Sequence, residues 1–132
     1  MSISYGRKLS RNKKNFDFTA LKKSPFFFNQ LNFKELRTRL EVSSNLINLE
    51  VGFGTGDNVI FQSEERKKEI FLACDPFLSG NIKLLKKIVF RSTSNVYFTN
   101  LDFASLFDLI RNLIFNEIYI LFPDPWPKKK HK

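Results

Sequence analysis

A chain of 132 residues makes one domain at most, and its 42% hydrophobic content is enough for a core. A formal net charge of +9, from 22 Lys and Arg against 13 Asp and Glu, points to a polyanionic partner, either nucleic acid or an anionic membrane surface. The single cysteine, Cys74, excludes an internal disulfide and a cysteine-rich zinc site. No constellation of side chains suits a metal, no signal-peptide pattern is present, and no apolar run approaches the roughly 18 residues of a membrane span; the expectation is a soluble, cytoplasmic protein.

Residues 1–24 read as a basic arm, because YGRKLSRNKKN carries five Lys or Arg and little apolar periodicity. Such a segment is either a mobile arm or a solubilising tail. From Gln30 to Leu40, the spacing of Leu31, Leu36 and Leu40 predicts a short helix, with Phe33 between them. LINLEVGF (46–53) is an apolar run ending in glycines, which suits a strand buried on both faces. A helix is expected from Asp57 to about Lys68. EIFLACDPF (69–77) reads as a second buried strand stopped by Pro76, with Cys74 a small core residue. Ser79 is the expected N-cap of a helix through Phe90. NVYFTNLD (95–102) reads as a third strand, ASLFDLIRNLI (104–114) as an amphipathic helix, and NEIYILFP (116–123) as a fourth strand limited by Pro123.

Alternation of this kind predicts an α/β fold: βαβ units with right-handed crossovers and a parallel sheet covered on both faces. Ligands of such sheets bind at the carboxyl ends of the strands. Each of the four segments that follow the strands carries an acidic residue there: Glu50, Asp75, Asp102 and Asp124. The first lies in LEVGFGTGD, where Gly52, Gly54 and Gly56 allow a sharp turn and close approach of a ligand to the backbone. This G-x-G-x-G spacing is tighter than the G-x-G-x-x-G of dinucleotide folds, which weakens an oxidoreductase reading. Asp75, 25 residues after Glu50, is placed to accept from ribose hydroxyls, or else caps a helix or is a surface charge. Asp102 suits an exocyclic amine of adenine, the N-cap of the 104–114 helix, or both. In FPDPWPKKKHK (122–132) three prolines fix φ and remove donors, giving a stiff non-helical edge around Asp124 and Trp126. By itself that is a rigid surface turn; Trp126 stacks on a base or, more simply, buttresses the loop.

LEVGFGTG resembles the first motif of S-adenosylmethionine-dependent methyltransferases. FPDPWPKKKHK is similar to the long PDPWxKxxH signature of bacterial tRNA (guanine-N7)-methyltransferases, and YGRKLSR is similar, less specifically, to their basic amino-terminal arm. The resemblance covers nearly the whole chain and implies a Rossmann-like class I methyltransferase fold. It further implies S-adenosyl-L-methionine as cofactor and tRNA as partner, with methyl transfer to N7 of the variable-loop guanine. Glu50 would then lie near the methionine portion, Asp75 on the ribose and Asp102 near the adenine, with Gly52, Gly54 and Gly56 forming the cofactor loop. Asp124 would lie between cofactor and guanine as the catalytic residue. Lys128 would contact the substrate, and Lys130, His131 and Lys132 would add phosphate contacts. The family usually has Glu where this chain has Asp75, so the ribose contact is expected to be weaker or water-bridged.

Class I methyltransferases use seven strands and this sequence supplies about four, so 25–132 reads as the amino-terminal part of the domain. A truncated frame, a split enzyme completed by a second polypeptide, and a self-sufficient cofactor-binding half are the three explanations. The alternative from another functional class is a non-catalytic basic RNA-binding module.

Overall fold

The computed structural model describes residues 17–121. Its helices are α1 (17–23 within that range), α2 (Phe33–Val42), α3 (Asp57–Glu65), α4 (Leu78–Arg91) and α5 (Phe103–Ile110). They alternate with strands β1 (Ile47–Val51), β2 (Ile70–Cys74), β3 (Val96–Thr99) and β4 (Glu117–Ile120), all parallel, in the order β3-β2-β1-β4. This is the predicted architecture. The chain winds outward from β1 to β3 and then crosses to the other side of β1, so strand order switches between β1 and β4. Crevices at such switch points are where open α/β sheets bind ligands.

The side-chain alternation of the strands sorts the core into two layers. Phe71, Ala73, Val96 and Phe98 project to one face, where Leu21 of α1, Val59 and Ile60 of α3, and Leu84 and Ile88 of α4 cover them. Ile47, Leu49, Leu72 and Cys74 project to the other, under Phe33, Leu36 and Leu40 of α2 and Leu106 and Ile110 of α5. Burial on both faces explains why β2 reads as an unbroken apolar run; β1 is buried on both faces too but carries Asn48 and Glu50 on one of them. Burial also pushes the Cys74 thiol up to about 11, as an inert core residue.

Several boundaries differ from expectation for local reasons. Residues 17–23, assigned to the basic arm, are helical, and Leu21 is fully buried. Helix α2 begins three residues late because Asn29 and Asn32 bond each other's backbone in a turn. Helix α3 ends at Glu65; Arg66 leaves helical geometry and reaches Glu69 at 3.3 Å and Glu117 at 2.8 Å. Strand β2 stops before Pro76, where the Asp75 carboxylate accepts from Phe77 N–H at 3.0 Å and turns the chain. Ser79 is not the N-cap of α4: Phe77 holds that position without a side-chain cap, and Ser79 lies inside the first turn. Strand β3 ends at Thr99, whose hydroxyl accepts from Leu101 N–H at 3.1 Å.

Candidate functional site

Three positive-φ glycines shape the loop after β1: Gly52 at 81°, Gly54 at 64° and Gly56 at 93°. Each needs glycine for its backbone alone, and two also lack room. A Cβ on Gly52 would lie 2.5 Å from the carbonyl oxygen of Leu121, where the chain leaves β4. A Cβ on Gly56 would lie 2.5 Å from Leu84 of α4. Around Gly54, by contrast, a Cβ would meet nothing within 4 Å, so the middle of the loop faces open space. Gly80 supports the loop from below, because a Cβ there would meet the Gly54 carbonyl oxygen at 2.1 Å. The sequence signal for Gly80 was a lone glycine inside a helical pattern, and it was missed.

Two buried carboxylates flank this loop. Glu50 lies within β1 rather than after it, paired in register with Ala73 of β2 and Tyr119 of β4, and is 1% exposed. Its Oε1 accepts from Asn58 Nδ2 at 2.7 Å, while Oε2 is buried with no partner among the described residues. Burial pushes its pKa up to about 7, against the lowering effect of Asn58. An unpartnered buried oxygen of this kind is costly unless a ligand completes it. Asp75 is also buried, and its two oxygens accept from Gly54 N–H at 2.9 Å and Phe77 N–H at 3.0 Å. It braces the glycine loop against the start of α4, a duty the sequence reading gave only as a capping alternative. Asn81, fully buried, donates to the carbonyl oxygens of Asp75 and Phe77 at 2.8 and 3.0 Å and fixes the same corner.

Asp102 is exposed and caps α5, accepting from Ser105 N–H at 2.8 Å, which holds its carboxyl below the usual range. At the back of the loop, Lys87 donates to Thr55 O and to Asp57 Oδ1, both at 2.7 Å. Glu50, Asp75 and the three glycines therefore converge at the carboxyl ends of β1 and β2. Asp124, Lys128, Lys130, His131 and Lys132 lie outside the described residues.

The family model Methyltransf_4, described as "Putative methyltransferase", matches residues 44–132, from just before β1 through the proline-rich segment. The chain belongs to this methyltransferase family. Among curated relatives, the methyltransferase chain is 31% identical to the tRNA (guanine-N(7)-)-methyltransferase of Neorickettsia sennetsu, over 97% of this chain and 55% of that protein. It is 33% identical to the enzyme of the same name from Wolbachia pipientis wMel, over 76% of this chain and 45% of the relative. The chain thus spans about half the length of the curated relatives it matches. A solved antibiotic-related methyltransferase superposes with a TM-score of 0.57 at 25% identity, over 74% of this chain and 50% of that one. PKMT2 from Rickettsia typhi, solved in complex with AdoHcy, shares the fold, with a TM-score of 0.51 at 23% identity over 81% of this chain and 22% of that chain. The sheet and its helices are those of a class I methyltransferase.

Proposed function

We propose that the chain is the amino-terminal part of a tRNA guanine-N7 methyltransferase that uses S-adenosylmethionine. The observation that carries this reading is the pairing of a buried carboxyl oxygen on Glu50, unpartnered among the described residues, with open space over Gly54, at the switch point of a methyltransferase-family sheet. These residues fit the cofactor. Glu50 Oε2 would take a cationic group such as the ammonium of the methionine portion. Asp75, pinned at two points, would still offer lone pairs to ribose hydroxyls. Asp102 would receive the adenine amine beside its capping bond.

Bound there, S-adenosylmethionine supplies a methyl group already activated on a sulfonium. Guanine N7 has a free lone pair and needs no deprotonation, so the chain's task is alignment of the base and exclusion of water. Asp124 would accept from guanine N1–H or N2–H2 and offset positive charge on the methylated base. Lys128, Lys130, His131 and Lys132 would hold phosphates, with affinity falling as salt rises. A further segment, in the same polypeptide or a second one, would complete the sheet beyond β4, whose Ile118 and Ile120 are half exposed.

Transfer from labelled S-adenosylmethionine to unmodified tRNA, mapped to guanine N7, tests the reading. Asp124→Asn is expected to keep cofactor binding and lose most of the transfer; unchanged transfer would remove Asp124 from the chemistry. RNA binding by a folded chain that takes up no cofactor would favour the second reading, a non-catalytic RNA-binding module.

A further inference from the structure

The crevice at the glycine loop leaves unused a cleft on the outer side of the α3–α4 pair. The cleft holds about 420 Å3, within the size range of small-molecule sites. Two of its lining residues are large and apolar yet face solvent: Phe90 is 87% exposed and Phe61 58%. Lys86 and Arg91 of α4 line the same cleft, as do Asp57 and Glu64 of α3. Arg91 is held by a forked pair with Glu64, whereas Lys86 is more than half exposed and among the described residues has only a 3.5 Å contact with Asp17. Its charge is therefore largely free for an outside anion.

Aromatic faces beside a cation such as Lys86 are what single-stranded nucleic acid uses, since every base has a face to stack and every link has a phosphate. We propose that this cleft takes one unstacked nucleotide of a single-stranded RNA segment, with its base on Phe90 and Phe61 and its phosphate on Lys86. Asp57 and Glu64 are paired with Lys87 and Arg91, so Lys86 carries the cleft's unbalanced charge: it favours an anionic occupant, and the exposed rings favour one with flat faces. Duplex RNA keeps its base faces stacked and gains only the phosphate contact. The proposal rests on the RNA-substrate reading above and adds a contact separate from the strand-end crevice. Lys87 joins the two regions, lining the cleft while donating to Thr55 O of the glycine loop.

Fluorescence anisotropy with a labelled single-stranded RNA of roughly ten nucleotides, and with a duplex of the same sequence, tests this directly. Phe90→Ala is expected to weaken single-strand binding about five- to a hundredfold, leave duplex binding unchanged, and be rescued by Phe90→Trp. Phe90 is outside the core, so its replacement leaves the fold intact. Equal single-strand affinity of wild type and variant overturns the proposal. An equal loss on both probes also overturns it, because charge rather than stacking would then hold the RNA. If the wild type binds neither probe, the proposal fails and the cleft belongs to another class of partner. A parallel cofactor titration separates the two readings: absent cofactor binding would count against the methyltransferase function, while the single-strand result would stand on its own.

Discussion

Along β3, the segment 26–28 lies against the strand and finishes it. Phe28 N–H donates to Phe98 O at 2.9 Å, Phe98 N–H donates to Phe26 O at 2.8 Å, and Phe27 sits edge-on to the Phe98 ring at 5.4 Å. Along β4, no strand pairs with the outer edge among the described residues, and Ile118 and Ile120 are 55% and 53% exposed. On its other face β4 is held by polar contacts, with Arg66 donating to Tyr119 Oη at 2.7 Å and paired with Glu117. An edge closed by packed aromatic rings contributes to the core. An edge with bare backbone and exposed isoleucines is a surface awaiting cover. The candidate site sits at the carboxyl ends of β1 and β2, one strand in from the open β4, so the least finished side of the sheet adjoins it.

The largest effect should come from breaking the closed edge. Phe98 is fully buried between Phe27 and Phe53, and Phe98→Ala should cost about 3–5 kcal/mol, seen as a lower urea midpoint. A small shift would mean that 26–28 does not close β3. The next effect is one of pH and probes the open side, because Glu50 lies opposite Tyr119 of β4. Its folded pKa of about 7 stands above its ordinary 4.5, so between those values the folded state binds more protons than the unfolded. Stability should therefore fall as pH rises from about 4.5 to about 7, by on the order of 3 kcal/mol, and Glu50→Gln should abolish the decline. A flat profile in the wild type would mean that β4 does not bury this carboxyl.

Between the two edges, Gly80→Ala presses a methyl group into the Gly54 carbonyl. It should cost about 1–3 kcal/mol and weaken cofactor binding out of proportion to that loss, compared by calorimetry and thermal melting. Unaltered cofactor affinity would separate the loop from α4. The smallest effect belongs to the open edge: Ile118→Thr should change stability by no more than about 0.5 kcal/mol. A loss comparable to that of Phe98→Ala would show that the edge is already covered.

The order of strands and helices was legible because each strand of this parallel sheet is a short apolar run between turn signals. The loop glycines were legible as a turn after an apolar strand and Asp75 from its place at the end of the second strand, whereas Glu50, expected in the segment after β1, lies within it. The Asp102 cap followed from its position before an amphipathic helix. What escaped was tertiary. Nothing in Phe26–Phe28 announces a partner 70 residues away, and Leu21 sits among lysines that masked its buried face. Asn58 and Asn81 matter only through the carboxylate and the carbonyls they meet in the folded chain. Ser79 had the right chemistry for a cap, but the Asp75 turn and Asn81 had already set the helix start.

The most direct test is a calorimetric titration of S-adenosylmethionine into the 132-residue chain, with Asp75→Ala alongside and circular dichroism to confirm that both are folded. Saturable binding by the wild type, weakened at least about tenfold in the variant, is the predicted result. A folded wild type that takes up no cofactor would contradict the assignment of the glycine loop at the carboxyl ends of β1 and β2 as a methyl-donor site.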